Sequence, residues 1–276
     1  MTNATEETQL EAIQAIHVII STGSDRRPFI PHWPGKDKYR GVFRNAKHYV
    51  GKSVLLIGSG NSGLDVGNYL AKEAIKAPYM SVRTGTWIMP KSLFGIPLQP
   101  IVIYTQWLPR KPLDFALVWM GRLIYGDLTK LGLPRPSKGP VTRQIEDNQV
   151  PSLDDGFIAS VKKGLFSFVP DIQSFNEDGV ELADGRMLRP DFIICATGYR
   201  LGLEDMVGDL GVLNEKGVLK FLADEGLNDF PGLWFFGLNT SIYGNFYAQL
   251  GESKRLAEKI CGQLEIEDRG LSGESC

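Results

Sequence analysis

The spacing of hydrophobic positions predicts strands that alternate with a helix in the first third of the chain. Runs rich in β-branched and aliphatic residues at 15–23, 52–57 and 78–85 each indicate a strand next to a glycine turn, and the first is apolar enough to predict a buried strand. Between the last two runs, apolar residues recur with helical spacing from Asn61 to about Lys76. Strand, helix and strand within about 30 residues form a βαβ unit, whose right-handed crossover makes the two strands parallel neighbours.

The second half of the chain predicts further strands and one long helix. Three strand-like runs at 165–175, 179–188 and 190–199, with Asp-Gly turn signals, indicate a small antiparallel meander that leads into a buried strand at 192–196. A strand at 230–238 and an amphipathic helix at 248–264 follow, and the polar end from Glu265 is expected to fray. The pattern therefore predicts an α/β fold, with a Rossmann-like parallel sheet and a small antiparallel meander.

Two proline-rich stretches have no regular periodicity. Prolines at 28, 31 and 34 predict an extended surface linker between structural units. The apolar region 93–128 is cut by four prolines and carries Arg110, Lys111 and Asp114, so it lacks the roughly 18 uninterrupted apolar residues of a membrane span. Its aromatic residues either line a substrate passage or pack as a helical cover on the sheet, and we expect packing for most of them: Trp107, Phe115, Trp119 and Tyr125.

The turn after the 52–57 strand has the pattern G-x-G-x-x-G between a strand and a helix. In that context the glycines permit a tight turn, a close approach of the backbone to a pyrophosphate, and close packing of helix on strand, while the helix N-terminus attracts the phosphates. A glycine turn packed on its own sheet is the alternative, and the flanking strand and helix disfavour it. The candidate dinucleotide-binding residues here are Gly58, Ser59, Gly60, Asn61, Ser62 and Gly63.

Arg83 and Thr84 end the next strand, at the position that selects between dinucleotides. An NAD site carries an acidic residue there for the ribose hydroxyls, but no Asp or Glu occurs between Glu73 and Asp114. A guanidinium group can instead clamp a 2′-phosphate with paired, charge-assisted hydrogen bonds. The sequence therefore predicts NADP, bound as NADPH, with Arg83 and Thr84 at its 2′-phosphate.

Composition excludes several other classes of protein. The 276 residues carry 30 basic and 32 acidic side chains, a net charge of -2, so no nucleic-acid partner is indicated. The three cysteines show no C-x-x-C spacing and the three histidines no metalloprotease spacing, so neither a disulfide framework nor a metal site is predicted. The polar start lacks the features of a signal peptide, and reduced cysteines favour the cytoplasm.

No residue pattern identifies a catalytic group of the protein itself. None of the nine tyrosines has a lysine four residues later, as a short-chain reductase requires, and no cysteine pair resembles a redox-active disulfide. A nucleotide cradle without catalytic side chains is typical of a protein in which a second cofactor performs the chemistry.

Several separated motifs, in order, resemble the flavin-containing monooxygenases, the class B flavoprotein monooxygenases. They are GKSVLLIGSGNSGLDV from Gly51, VRTGTWIMPK from Val82, LGLPRPSKGPV from Leu131, VPSLDDG from Val150 and DFIICATGY from Asp191. The third and fourth are most similar to the YUCCA-type, indole-pyruvate-oxidising branch. The resemblance covers residues from about 15 to about 260.

The resemblance implies which residues bind the cofactors. The turn at 58–63 corresponds to the family's NADPH-binding motif, Arg83 to its 2′-phosphate ligand, and Ala196, Thr197 and Gly198 to the linker between its two nucleotide domains. Asn245 and Gln249 fall where the family's chain returns to the flavin. The sequence departs from the family in two ways. The family identifier F-x-G-x-x-x-H corresponds here to Tyr39, Gly41 and Asn45, so its histidine is missing unless His48 takes that place through a shifted spacing. The family's first G-x-G-x-x-G, which binds FAD, is absent.

The resemblance also implies a domain division and a reaction. Residues 1–45 would end one flavin-domain half and form the linker, 46–198 would bind NADPH with an insertion at 93–140, and 199–276 would complete the flavin domain. The implied oxidoreductase passes hydride from NADPH to FAD, activates O2 as a flavin hydroperoxide and transfers oxygen to a small organic substrate, of which an arylpyruvate is one candidate.

Two alternatives to this reaction concern this chain alone. It could be a non-catalytic NADP-binding fragment or subunit, or an NADPH-dependent reductase of a separate flavoprotein. FAD binding is expected to need a homo-oligomer or a partner that supplies the missing part of the flavin domain.

Overall fold

The computed structural model describes residues 12–38, 49–73, 76–105, 107–221, 227 and 229–272. The strands of these residues are, in chain order, β1 (Val18–Ile20), β2 (Arg27–Pro28), β3 (Ser53–Ile57), β4 (Lys76–Ser81), β5 (Ile88–Pro90), β6 (Ser92–Leu93), β7 (Ile96–Pro97), β8 (Ser152–Asp154), β9 (Ser167–Val169), β10 (Ile172–Phe175), β11 (Val180–Leu182), β12 (Met187–Leu188), β13 (Phe192–Cys195), β14 (Tyr199–Arg200) and β15 (Leu233–Phe235). The α-helices are α1 (Asn61–Lys72), α2 (Leu98–Ile103), α3 (Arg110–Tyr125), α4 (Pro140–Asp147), α5 (Phe157–Lys162), α6 (Glu204–Val207) and α7 (Asn245–Ser272). Short 3-10 turns occupy Lys36–Lys38, Leu128–Leu131 and Gly208–Leu210.

The central element is a four-stranded parallel sheet in the order β13-β3-β4-β9. Strands β3 and β4 are joined by α1, so the predicted βαβ unit is confirmed. The helix ends at Lys72 rather than near Lys76, with Glu73 as its C-terminal cap. The predicted α/β fold with a parallel sheet is likewise confirmed.

Strand β3 lies at the centre of the core. Val54, Leu55 and Leu56 have no solvent exposure, as expected for a parallel strand that is covered on both faces. Val54 and Leu56 pack in a cluster with α1 and α5, whereas Leu55 packs on the opposite face with residues of the meander and with Trp33. This burial fixes the position of the turn that follows β3.

The predicted meander is present as β10-β11-β12, an antiparallel sheet. The run predicted as its first strand is divided at Pro170, which has no amide hydrogen to donate. Its first part is β9, in the parallel sheet beside β4, and its second part is β10. The Ser81 hydroxyl donates to the Pro170 carbonyl at 2.8 Å and joins the break to the end of β4.

A separate two-stranded parallel sheet is formed by β1 and β15, with Val18 opposite Leu233. The prediction of a strand here is correct, but the prediction that it is buried is wrong, since Val18 and Ile19 are 49% and 48% exposed. Strand β15 is the only partner of β1 among the described residues, so one edge of β1 is unpaired there. Ile20, at the end of β1, is partly buried against a hydrophobic cluster with Phe235 and Leu238.

The proline-rich segment is extended but more closely packed than predicted. Its β2 pairs with β14 as an antiparallel ribbon. Trp33 is buried and packs against Phe175 with ring centroids 5.6 Å apart, and the Phe175 amide donates to the Pro34 carbonyl at 2.8 Å. The linker is therefore attached to the meander.

The aromatic insertion folds as α2 and α3. Their facing side chains form a cluster that includes Leu98, Val102, Leu113 and Leu117. Our prediction that most of its aromatic residues pack on the sheet is wrong: Tyr125 is buried, but Trp107, Phe115 and Trp119 are 80%, 66% and 47% exposed.

The C-terminal helix α7 continues to Ser272, beyond Glu265 where fraying was predicted. Within the described part of the chain, no helix is both long enough and apolar enough to cross a membrane.

Candidate nucleotide-binding site

The predicted nucleotide residues meet at one edge of the parallel sheet. In the register of the sheet, Ile57 lies opposite Ser81 on one side and Cys195 on the other, so β3, β4 and β13 end together. The segments that begin at Gly58, Val82 and Ala196 therefore leave the sheet side by side. The carboxyl edge of an open parallel sheet is the usual location of a nucleotide.

Gly58 is required by the tight turn after β3. Its φ of 105° lies in the region that favours glycine, and a Cβ on it would collide with the carbonyl oxygen of Ala196. Gly63, in the first turn of α1, is limited in the same way by the Gly58 carbonyl. These two glycines let the turn, α1 and the Ala196 segment pack closely.

Gly60 has a different environment. A Cβ on it would meet no atom within 4 Å, and its backbone is extended with φ -71°. Gly60 is the N-cap of α1, and among the described residues no side chain caps this helix. The open space over Gly60 thus adjoins a helix N-terminus whose partial positive charge favours a phosphate.

The other residues of the turn have structural partners or face solvent. The buried Ser152 hydroxyl donates to the Ser59 carbonyl at 2.9 Å, and the Leu153 amide donates to Asn61 Oδ1 at 2.8 Å. These two hydrogen bonds therefore join strand β8 to the turn. Ser62 is exposed at the start of α1.

Arg83 and Thr84 lie just beyond β4 and are both exposed. The following residue, Gly85, has a φ of 66° and packs so closely on the Pro134 carbonyl that any side chain would collide with it. The segment that carries Arg83 is therefore held against the 133–136 loop, and the Arg83 side chain is exposed to solvent just beyond the sheet edge.

Arg143, on α4, is a residue of this site that the sequence did not reveal. Its Nη1 donates to the Gly85 carbonyl at 2.9 Å, and its Nη2 lies 3.5 Å from Thr84 Oγ1. Burial lowers the pKa of Arg143, the Asp147 carboxylate opposes that shift, and an arginine remains charged at neutral pH in either case. No spacing in the sequence connects Arg143 with Arg83, so only the fold places this second guanidinium group next to Thr84.

The Ala196–Gly198 segment connects the sheet edge to the proline-rich linker. The Ala196 amide donates to the Ile57 carbonyl at 2.8 Å, the Thr197 hydroxyl donates to the Phe29 carbonyl, and the Phe29 amide donates to the Gly198 carbonyl at 2.9 Å. Gly198 has a φ of 87°, which suits the sharp bend into β14. The segment therefore packs against Gly58 at Ala196 and is hydrogen-bonded to the linker at Phe29.

A cleft of about 560 Å³ extends from the turn to the start of α7. Asn61 and Asn245 both line it, so these two predicted residues come together in one cavity. Asn245 accepts a hydrogen bond from the Ser241 amide at 2.9 Å through Oδ1. Gln249 does not line the cleft; its side chain lies beside Gly237. The walls are mainly apolar and include Met89, Leu98, Leu117 and Tyr243.

Two half-buried groups near the site have raised pKa values. Burial raises the pKa of Tyr243 in the cleft. Burial also raises the pKa of the Cys195 thiol, and Lys36 opposes that shift. Neither side chain is a ready nucleophile or base at neutral pH. Among the described residues, moreover, no group of three or more His, Cys, Asp and Glu could hold a metal ion.

Comparison with known proteins identifies the family. A family model described as flavin-binding monooxygenase-like matches residues 1–216. The chain belongs to that family. It is 32% identical over 206 residues to the indole-3-pyruvate monooxygenase YUCCA4 of Oryza sativa subsp. japonica, covering 72% of this chain and 47% of the relative. It is 30% identical over 259 residues to the probable indole-3-pyruvate monooxygenase YUCCA3 of Arabidopsis thaliana, covering 91% of this chain and 58% of the relative.

The predicted membership of the flavin monooxygenase family, with its similarity to the YUCCA-type branch, is therefore confirmed. The chain spans about half the length of these relatives. Among solved structures, a complex of OTEMO with FAD and NADP has a TM-score of 0.64 at 15% identity, over 95% of this chain and 63% of that one. This likeness supports the fold. The described residues do not include those that correspond to the family identifier, which are Tyr39, Gly41, Asn45 and His48.

Proposed function

We propose that this chain binds NADPH at the carboxyl edge of its parallel sheet. The pyrophosphate would lie over Gly60 at the N-terminus of α1, and the 2′-phosphate would lie between Arg83 and Arg143. The observation that carries this proposal is the open space at Gly60, since Gly58 and Gly63 have none. Two guanidinium groups, Arg83 at the end of the neighbouring strand and Arg143 on α4, would supply the charge that distinguishes a 2′-phosphate from a ribose hydroxyl.

We further propose that the chain takes part in an NADPH- and flavin-dependent monooxygenase reaction. FAD, when bound, would accept hydride and activate O2. The residues of this chain would hold the dinucleotide, orient its nicotinamide towards the cleft between Asn61 and Asn245, and exclude water through the apolar walls. The substrate would be a small organic molecule, and the names of the relatives make an arylpyruvate the first candidate to test.

The described residues fit NADPH better than they fit FAD. The 53–72 segment is the only strand, glycine turn and helix in G-x-G-x-x-G form among them. Strand β1 ends in a turn at Gly23 that continues into the linker, without a helix. We therefore propose that residues 12–38 and 199–272 contribute to a flavin domain, and that the cradle of the flavin's pyrophosphate lies outside the described residues.

A titration and a colour test separate this function from its alternatives. Purified chain is titrated with NADPH, its visible spectrum is recorded, and NADPH oxidation is followed in air with and without added FAD. A monooxygenase is yellow as purified, or keeps the flavin spectrum after added FAD has been removed by desalting, and then consumes NADPH and O2. Tight NADPH binding without any oxidation supports a non-catalytic subunit. Oxidation that needs a separate flavoprotein supports a reductase, and failure to bind NADPH contradicts all three.

A further inference from the structure

Helix α4 contacts two parts of the chain that lie far apart in the sequence. Arg143 on this helix donates to the Gly85 carbonyl and lies beside Thr84, at the proposed 2′-phosphate end of the nucleotide site. The next residue, Gln144, donates from Nε2 to the Thr240 carbonyl at 3.3 Å. Helix α4 therefore joins the 2′-phosphate end of the site to the segment that begins at Thr240.

Asn148, which follows the last residue of α4, makes the shortest hydrogen bond to that segment. The Thr240 hydroxyl donates to Asn148 Oδ1 at 2.8 Å, and the Thr240 amide donates to the same oxygen at 3.4 Å. The two residues are 92 positions apart in the chain. The end of α4 is thus tied to Thr240 by a contact that only the fold creates.

The backbone at Asn148 shows that its side chain does more than end the helix. Asn148 is the C-terminal cap of α4, with φ 51° and ψ 38° in the left-handed region. Glycine adopts this conformation without the strain of a side chain, and it is the usual residue at such a helix end. A glycine would therefore end α4 at least as well, and what the asparagine adds is the contact with Thr240.

The segment after Thr240 forms one wall of the cleft that begins at the nucleotide turn. Seven consecutive residues, 241–247, line the cleft. Two of them, Ile242 and Tyr243, also pack against the hydrophobic cluster that contains Leu98 and Val102. Thr240 is not itself a lining residue, so its bond to Asn148 acts on the cleft through the position of this wall.

We propose that Asn148 is a positioning residue that fixes the cleft wall at a set distance from Arg143. This role rests on the proposed function, in which one NADPH molecule reaches from the 2′-phosphate site to the cleft. A ligand that is held at both ends binds tightly only when the two parts of its site keep the spacing that it can span. Helix α4 maintains that spacing, because Arg143 contacts one part and Asn148 the other.

Comparison of a whole dinucleotide with one of its fragments tests this role. 2′,5′-ADP carries only the 2′-phosphate end, whereas NADP+ also carries the nicotinamide. Asn148→Gly keeps the left-handed backbone and removes the bond to Thr240. It should weaken binding of NADP+ about fivefold, as expected for the loss of one hydrogen bond, and weaken 2′,5′-ADP less than about twofold, both measured by calorimetry.

Two variants of Thr240 show whether its hydroxyl group is responsible. Thr240→Val removes the hydroxyl and should weaken NADP+ as Asn148→Gly does, whereas Thr240→Ser keeps the hydroxyl and should bind NADP+ as the unchanged chain does. Asn148→Gly combined with Thr240→Val should bind no more weakly than either variant alone, because both remove the same bond.

The matched control is an asparagine with a similar local role elsewhere. Asn176 lies in the turn between β10 and β11, where its Oδ1 accepts from the Asp178 amide at 3.1 Å. Asn176→Gly should leave the affinities for NADP+ and 2′,5′-ADP unchanged.

Hydrogen exchange supplies a readout that needs no nucleotide. In Asn148→Gly, the amides of residues 240–247 should exchange about fivefold faster than in the unchanged chain, because local opening of the wall breaks one bond fewer. The amides of the 58–63 turn should keep their exchange rates.

Three results would overturn the proposal. They are equal changes of NADP+ and 2′,5′-ADP affinity in Asn148→Gly, equal NADP+ affinities of Thr240→Val and Thr240→Ser, and unchanged exchange of residues 240–247 in Asn148→Gly. Failure of the unchanged chain to bind 2′,5′-ADP is a distinct result. It would contradict the proposed NADPH site itself, and the role of Asn148 would be lost with it.

Discussion

Arg143 Nη1 donates a hydrogen bond to the carbonyl oxygen of Gly85 at 2.9 Å, and the two residues are 58 positions apart in the chain. This bond joins α4 to the segment that carries Arg83. Gly85 is also packed on Pro134, so the segment is fixed from two sides. Because the Arg143 guanidinium group is already held in place, it would lose less entropy on binding a phosphate than a guanidinium group on a free loop would.

Arg143→Lys tests whether this second cation recognises the 2′-phosphate. A lysine keeps the charge but cannot donate to Gly85 and a phosphate in the geometry of the guanidinium fork. We expect affinity for 2′,5′-ADP to fall about tenfold, the equivalent of one charge-assisted hydrogen bond, as measured by calorimetry. Arg135→Lys, on an exposed neighbouring arginine, is the control and should change the affinity little. Equal effects of the two variants would remove Arg143 from the site.

The glycines of the turn provide a matched pair of variants. Gly58→Ala combines a φ of 105° with a collision against Ala196, so it should lower the free energy of unfolding by about 2–4 kcal/mol. Gly60→Ala has no such neighbour and should leave stability nearly unchanged, yet place a methyl group where the pyrophosphate would lie. Chemical denaturation measures the first effect and NADPH titration the second. If Gly60→Ala binds NADPH as the unchanged chain does, the pyrophosphate lies elsewhere.

Asp114 stabilises the helix that carries Arg143. Its carboxylate accepts from the first-turn amides of α4, and Thr142 Oγ1 adds a third bond to Oδ2. Asp114→Ala should therefore cost about 1–2 kcal/mol of stability, as loss of an N-terminal cap does. Asp155→Ala removes only an exposed ion pair with Lys91 and should cost less than about 0.5 kcal/mol. Thermal denaturation of both variants measures the difference, and equal costs would contradict the capping role.

The two described cysteines should differ in reactivity. Burial raises the pKa of Cys195, so its thiolate fraction is smaller at any given pH, whereas Cys261 is exposed on α7. We expect iodoacetamide to label Cys261 at least about tenfold faster than Cys195 at pH 8, and the labelling of Cys195 to accelerate as pH rises towards its raised pKa. Peptide mass spectrometry follows both sites. Comparable labelling rates in the folded protein would contradict this prediction, because they would show that the reagent reaches the Cys195 thiol at the end of β13 freely.

The elements with local signals could be predicted from the sequence. The glycine turn, the βαβ unit and the meander each depend on patterns within about 30 residues, and the motif resemblance placed the chain in its family. The division of one predicted strand at Pro170 is the exception. A proline inside an apolar run does not by itself reveal that the two halves join different sheets.

Features that depend on distant contacts could not be predicted. Arg143 joins the site only because α4 packs beside Thr84 and Gly85. Helix α3 has apolar residues all around, so periodicity could not show which side faces the core and which exposes Trp119. The exposure of Val18 and Ile19 in β1 likewise depends on what packs on the faces of the strand, which its apolar sequence does not show.

The most direct test of the proposed NADPH site is the affinity of Arg83→Ala for NADPH and for NADH, each measured against the unchanged chain. Loss of a guanidinium group at the 2′-phosphate should weaken NADPH by about tenfold or more and NADH by much less, because NADH has no phosphate there. An equal loss of affinity for both dinucleotides, or no loss for either, would contradict the assignment of the sheet edge to NADPH.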